Sequence, residues 1–169
     1  GKIDDALLAH VAALPRLTSL TINSPDATNA GLAQITRLQQ LERLVLVMPK
    51  MTDDALGTIQ SLPALKSLFL RSKGISNAAI PKLKNFPRLE ALAIGDAGID
   101  DAGLAQFAEL PQVKELTIGQ MDITDAGLAQ LAKMKGLSKL YIGETKMTDA
   151  GLEKLRKDHP TLQVIRTDI

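Results

Sequence analysis

Apolar residues recur along this chain with a period of 24 residues, without a gap from Ile3 almost to the end. Segments beginning at Ile3, Ala27, Met51, Ile75, Ile99, Ile123 and Met147 align position for position. Within the first six segments positions 6, 9 and 12 are apolar, as in Leu104, Phe107 and Leu110, or Leu128, Leu131 and Met134. A spacing of three puts them on one face of a helix. Position 2 is Asp4, Thr28, Thr52, Ser76, Asp100, Thr124 and Thr148 in turn. Each can accept a hydrogen bond from an unpaired amide, so position 2 reads as the N-cap. Position 3 is always Asp or Asn (Asp5, Asn29, Asp53, Asn77, Asp101, Asp125, Asp149), and a carboxylate there suits the positive end of the helix dipole. Pro15, Pro63, Pro87 and Pro111 follow at position 13 and stop the helix. The second half of each segment alternates, as in Leu116-Thr117-Ile118 and Leu140-Tyr141-Ile142, which predicts a short half-buried strand. Positions 17, 19 and 21 then face the other way.

One such unit cannot bury its own apolar face, but stacked neighbours can, and together they build a continuous core and a parallel sheet. Helices are wider than strands, so they belong on the outer, convex side with the sheet lining the concave one. The expectation is a single domain over residues 1–169, with 147–169 as a C-terminal capping repeat. In that last segment Asp158 stands where an apolar residue is due, and the stretch to Leu162 carries one extra residue. The first repeat starts at once at Ile3, which leaves its outer edge open. The chain begins Gly-Lys-Ile without methionine, which suggests a portion of a longer product whose upstream segment covers that edge. Association of two chains there is the other reading; otherwise a monomer is expected.

The string Leu-x-x-Leu-x-Ile, followed by a helix start of the form Ile-Thr-Asp-Ala-Gly-Leu, resembles bacterial leucine-rich repeats. It is also similar to the cysteine-containing repeats that accompany F-box domains, with the cysteines replaced. The resemblance covers nearly the whole chain. It implies an α/β fold, a right-handed solenoid of seven repeats used for protein–protein recognition, and it implies no chemistry. One column departs from it. The family often carries Asn, Cys or Thr three residues after the last strand leucine, where a hydrogen-bonded ladder forms. Here that column reads Pro25, Pro49, Lys73, Ala97, Met121 and Thr145, so a looser line of turns is expected, above all at Pro25 and Pro49.

Composition narrows the function. There is no cysteine, which excludes disulfides and thiolate metal sites. The four aromatics are Phe69, Phe86, Phe107 and Tyr141, so the core is aliphatic. A net charge of +1 offers no field to steer a polyanion, and nucleic acid is not the expected ligand. No apolar run is long enough to cross a bilayer, and no signal peptide is visible. The position-3 column could be a row of cation sites, but a calcium site needs several converging oxygens and this column supplies one residue per repeat, so helix capping is the preferred reading. His10, on the outward face of the first helix, and His159, in the cap loop, have no nucleophile in motif context. Gly31, Gly103, Gly127 and Gly151 recur in the first helical turn, where close packing of adjacent coils explains them better than phosphate binding. No cofactor or metal is expected.

The outward strand positions are therefore the functional candidates. Val45, Val47, Met48 and Phe69 form an apolar patch flanked by Arg43 and Arg71, with Tyr141 three strands away as a second anchor. Aromatic, methionine and arginine side chains are enriched at interfaces, and a contiguous apolar patch often marks one. The competing explanation is that valine and phenylalanine simply favour strands and pair across them. The resulting expectation is a non-catalytic scaffold that binds a protein or peptide on its concave face. The alternative is the substrate-recognition portion of a larger enzyme or ubiquitin-ligase-type effector whose active domain lies upstream.

Overall fold

The computed structural model describes residues 3–167. Strands β1 (Ser19–Asn23), β2 (Arg43–Val47), β3 (Ser67–Arg71), β4 (Ala91–Gly95), β5 (Glu115–Gly119), β6 (Lys139–Ile142) and β7 (Gln163–Arg166) form one parallel sheet in chain order. Every pairing joins residues 24 apart, such as Leu44 with Leu68 and Leu116 with Leu140. Helices alternate with the strands: α1 (Asp5–Val11), α2 (Asn29–Ile35), α3 (Asp54–Ile59), α4 (Asp101–Phe107), α5 (Asp125–Leu131) and α6 (Asp149–Asp158). The fourth repeat carries a 3-10 helix, Asn77–Asn85, in place of an α-helix. Pro81 lies inside it and lacks the amide that an α-helix would bond to the Asn77 carbonyl.

The core is a set of columns. Leu32, Leu56, Ile80, Leu104 and Leu128 stack at position 6, Leu44, Leu68, Leu92, Leu116 and Leu140 at position 18, and all are 2% exposed or less. Phe86 and Phe107 fill the same space as aliphatic neighbours in other repeats and are fully buried. The last rows differ. The first repeat leaves Leu7 and Leu14 at 40% and 54% exposure. In the seventh, α6 runs to Asp158, which is exposed, and His159 turns inward instead. The His159 ring donates from Nε2 to the Met134 carbonyl at 3.1 Å and is 8% exposed. The extra residue expected here is taken back before β7, because Leu140 pairs with Val164 at the usual interval of 24. Arg166 replaces the apolar residue of position 20 and reaches the Met147 carbonyl and the Asp149 carboxylate, at 3.1 and 3.0 Å. Of the segment 147–169, residues 168 and 169 lie outside the described residues.

Position 2 is the N-cap in six repeats. The third differs: α3 starts one residue later, with Asp53 at its N-cap and no side-chain capping bond. Position 3 does more than favour its own helix. Asp5 takes the amide and hydroxyl of Thr28 at 2.8 and 2.7 Å, one repeat on. Asp53 with Ser76, Asp101 with Thr124 and Asp125 with Thr148 repeat the arrangement. Where the next N-cap is itself a carboxylate, Asp100, the rung residue is Asn77, whose amide donates to Asp100 at 2.8 Å. An aspartate at 77 would oppose two acceptors with no proton between them. These oxygens are committed to the neighbouring repeat, so the column is an inter-repeat ladder.

The ladder explains the glycines. A Cβ on Gly31, Gly103, Gly127 or Gly151 would stand 2.1–2.5 Å from the preceding rung's Oδ1. The third and fourth repeats have Ala55 and Ala79 there; the third starts its helix one residue late, and the fourth starts at the common position but winds as a 3-10 helix.

The turns at Pro25 and Pro49 are tied by buried serines, Pro25 by the preceding Ser24 and Pro49 by Ser72 of the next repeat. The ladder role has moved one residue earlier, to Ser24 and Ser72, both buried. Ser24 Oγ donates to the Ile3 carbonyl at 2.5 Å and accepts from the Asp26 and Ala27 amides. Ser72 Oγ donates to the Met51 carbonyl at 2.8 Å and accepts from Gly74. Later repeats turn differently, with Asp96 and Gln120 at φ 48° and 54°.

Two predictions follow from the rungs. Gly127→Ala should cost about 1–3 kcal/mol by forcing Asp101 off Thr124, whereas Gly57→Ala, with open space around its Cβ, should gain up to about 1 kcal/mol; urea melts of both variants check the contrast. Charge gives the second. The Asn77 hydrogen bond holds Asp100 below its ordinary 3.8, and the Thr148 hydroxyl and amide do the same for Asp125. A depressed carboxylate stabilises the fold above its unfolded pKa, and that contribution is lost as pH falls through the folded value. Asn77→Asp should therefore lower the melting temperature at pH 7. The deficit should shrink toward pH 4, as one of the paired carboxyls takes up a proton and becomes a donor.

Candidate binding face

Parallel register places the outward residues in straight rows across the strands. One row runs Thr21, Val45, Phe69, Ala93, Thr117 and Tyr141. A second, toward the strand starts, runs Ser19, Arg43, Ser67, Ala91, Glu115 and Lys139. A third, toward the strand ends, runs Asn23, Val47, Arg71, Gly95 and Gly119. Val45 and Phe69 are thus direct cross-strand partners, and both are half-buried. Val47 is half-buried beside the exposed Arg71, and Arg43 is exposed at the other end of β2. Tyr141 lies three strands from Phe69, about 14 Å by strand spacing.

Met48 does not join this group. It is 0% exposed and belongs to the core. The chain leaves β2 at Val47, and the position that follows turns inward between the buried Ser24 and Ser72 of the flanking repeats. The patch is therefore Val45, Val47 and Phe69 with two arginines, and Met48 cannot touch a partner.

Between the two aromatics the floor is bare. Ala93 and Thr117 separate Phe69 from Tyr141, and Gly95 and Gly119 lie beside them. The Phe69 side chain walls two depressions. One, of about 400 Å³, is bounded by Arg43, Val45, Ala91, Ala93 and Glu115. The other, of about 270 Å³, is bounded by Arg71, Gly95, Thr117, Gly119 and Gln120. Arg71 crosses over the glycine strip and donates from Nη2 to Gln120 Oε1 at 2.7 Å. The reach spans two strands. It is possible because Gly95 and Gly119 present no side chains and because Gln120 sits in a left-handed turn. Nothing in the sequence motif announces this bond; the only signal is a glycine pair at matching repeat positions.

The charges are laid out by the same register. Glu42, Lys66, Glu90 and Lys114 alternate at position 16, and Lys66 binds Glu42 at 2.7 Å while Lys114 binds Glu90 at 2.8 Å. The Lys114 hydrogen bond and charge hold Glu90 below the usual carboxylate range. On the face itself Lys139 meets Glu115 at 2.7 Å, and that hydrogen bond, with the Glu115 charge, pushes the lysine up. Arg43 and Arg71 have no acidic partner within ion-pair distance among the described residues, so their charges stand uncompensated. The histidines are elsewhere: His10 is exposed on α1 and donates from Nδ1 to the Ala6 carbonyl at 2.9 Å, and His159 serves the last repeat. Among the described residues no helix is long and apolar enough to cross a membrane.

No protein-family model matches the sequence, and no curated protein matches it. Solved structures do. Internalin C2 from Listeria monocytogenes superposes with a TM-score of 0.63 at 21% identity, over 93% of this chain and 74% of that one. An internalin F from the same organism gives 0.66 at 23% identity, over 95% and 46%. A plant peptide hormone receptor, RGFR1 in complex with RGF2, gives 0.52 at 14% identity, over 94% and 26%. The chain thus spans about half or less of two of these proteins. The likeness establishes the fold, a leucine-rich-repeat solenoid of parallel strands and alternating helices.

The burial contrast is testable. Met48→Ala should cost about 2–5 kcal/mol, as other buried truncations do, while Arg43→Ala should stay within about 0.5 kcal/mol; urea titration of the two variants distinguishes core from surface.

Proposed function

We propose that this chain is a non-catalytic recognition scaffold that binds a protein or peptide on its concave sheet face. The observation that carries the reading is the apolar cross-strand pair Val45–Phe69, half-exposed beside a floor of small residues and flanked by Arg43 and Arg71. Strand propensity alone explains a valine and a phenylalanine, but it does not explain their standing at the edge of a strip of alanine and glycine. Such a strip lowers the sheet surface so that a partner's backbone can approach, and aromatic and arginine anchors at its margin are the usual carriers of binding energy. Among the solved structures of the same fold, one is a peptide hormone receptor, which supports the reading. The proposed contact residues are Arg43, Val45, Val47, Phe69 and Arg71, with Tyr141 as the opposite wall.

A second reading keeps the same face and changes its context. The chain would supply partner selection to a longer protein that carries an effector domain. The uncovered apolar residues of the first repeat, Leu7 and Leu14, favour it.

With a captured partner in hand, Phe69→Asp and Val45→Asp should each weaken binding about 30-fold or more, the scale of an interface hot spot. Unchanged affinity in variants with native circular dichroism would remove the site from this face.

A further inference from the structure

We infer that the partner presents to this face an extended acidic segment, with two carboxylates four residues apart and an apolar side chain between them. The inference rests on the concave-face reading and specifies the chemistry of its ligand.

Charge is the first support. The outward positions of β1 to β7 carry three cations, Arg43, Arg71 and Lys139, and one acid, Glu115. Lys139 is neutralised by Glu115 at 2.7 Å. The acids at the rim nearest Arg43, Glu42 and Glu90, are taken by Lys66 and Lys114. Asp96, just past β4, forms no ion pair with Arg71 among the described residues. Among the described residues the face thus holds two arginines without an ion-pair partner, and both border the Val45–Phe69 pair. Elsewhere on the sheet the lysines have been matched by acids one repeat away, so the two unmatched arginines depart from the local pattern.

Geometry is the second support. Arg43 pairs with Ser67, and Arg71 lies four residues further along β3. The two Cα positions are therefore about 13 Å apart along the strand direction. An extended chain covers that distance in four residues and points side chains i, i+2 and i+4 to one face. Carboxylates at i and i+4 meet the two guanidinium groups while residue i+2 lies over Val45 and Phe69. On a helix the same-face pairs closest to that span, i with i+7 or i+8, reach about 10.5 or 12 Å, so the extended form is the closer match.

To meet a ligand running along β3, Arg71 swings back from its present place over Gly95 and Gly119. Its present acceptor is the neutral Gln120 amide at 2.7 Å. A carboxylate replacing that amide would form charge-assisted, fork-like hydrogen bonds, which are stronger and more directional than the bond it displaces.

A random heptapeptide library displayed on phage, selected against the intact chain at low ionic strength, tests this. Enrichment of Asp or Glu at i and i+4 with an aromatic or aliphatic residue at i+2 is the expected result. On the double variant Arg43→Glu, Arg71→Glu, the selected acidic peptides should bind at least 10-fold more weakly, and reselection should favour Lys or Arg. Raising the salt should weaken binding to the unaltered chain. Enrichment without an acidic preference, or a preference for helix-spaced acids, overturns the inference, as does no enrichment at all. Phe69→Ala separates the two levels: peptides lost in Phe69→Ala but indifferent to charge reversal keep the site and discard its acidic ligand. Peptides indifferent to both variants discard the site as well.

Discussion

Leu14 and Leu38 occupy the same position in adjacent repeats, yet one is 54% exposed and the other fully buried. The difference is a neighbour on both sides. This constraint governs the molecule: a 24-residue coil has an apolar wedge it cannot cover, and only a second and third coil remove that surface from water. Stability is then a sum over interfaces between successive coils. The columns at positions 6 and 18 are the places where that sum accumulates, because identical aliphatic side chains stacked in register leave no gaps.

Apolar stacking is non-directional and would tolerate slippage of one coil on the next. The rungs supply direction. A position-3 side chain reaches forward to the N-cap of the following repeat, and its chemistry is matched to what it finds. Aspartate meets Thr or Ser, Asn77 meets Asp100, and Asn29 donates its amide to the Thr52 hydroxyl. The glycine two residues after position 3 keeps the approach open. In the seventh repeat the rung residue Asp149 is taken by Arg166. The same register that sets the rungs lines up the outward side chains into rows, so that Val45 stands against Phe69 and two glycines leave Arg71 room to lie across the sheet. Any specificity the face has is written on a surface whose geometry is set by its back.

Much of this was legible in the residues. The 24-residue period, the helix on each first half, the strand on each second half, and the outward rows at positions 17, 19 and 21 all follow from apolar spacing, because burial of one face imposes a period on any helix or strand. The weaker readings fail where two side chains from different repeats decide the matter. Met48 looked like part of the patch because it follows Val47 in sequence, but the chain turns at that point and carries it inward. The 3-10 helix at Asn77–Asn85, with Pro81 inside it, and the late start of α3 are likewise not marked by the 24-residue period.

By itself, then, the sequence determined the fold and the residues that face outward, since period and polarity are properties of one coil repeated. The tertiary structure alone decided which polar groups meet. Ser24 and Ser72 as buried turn ties, Asn77 as the complement of Asp100, and Arg71 bound to Gln120 across two strands all join residues 21 to 49 positions apart. Hydrogen bonds are directional and short, so they exist only once the coils are stacked to within a few tenths of an ångström. Repeat spacing in the sequence hints at them, and only the assembled solenoid brings the partners within reach.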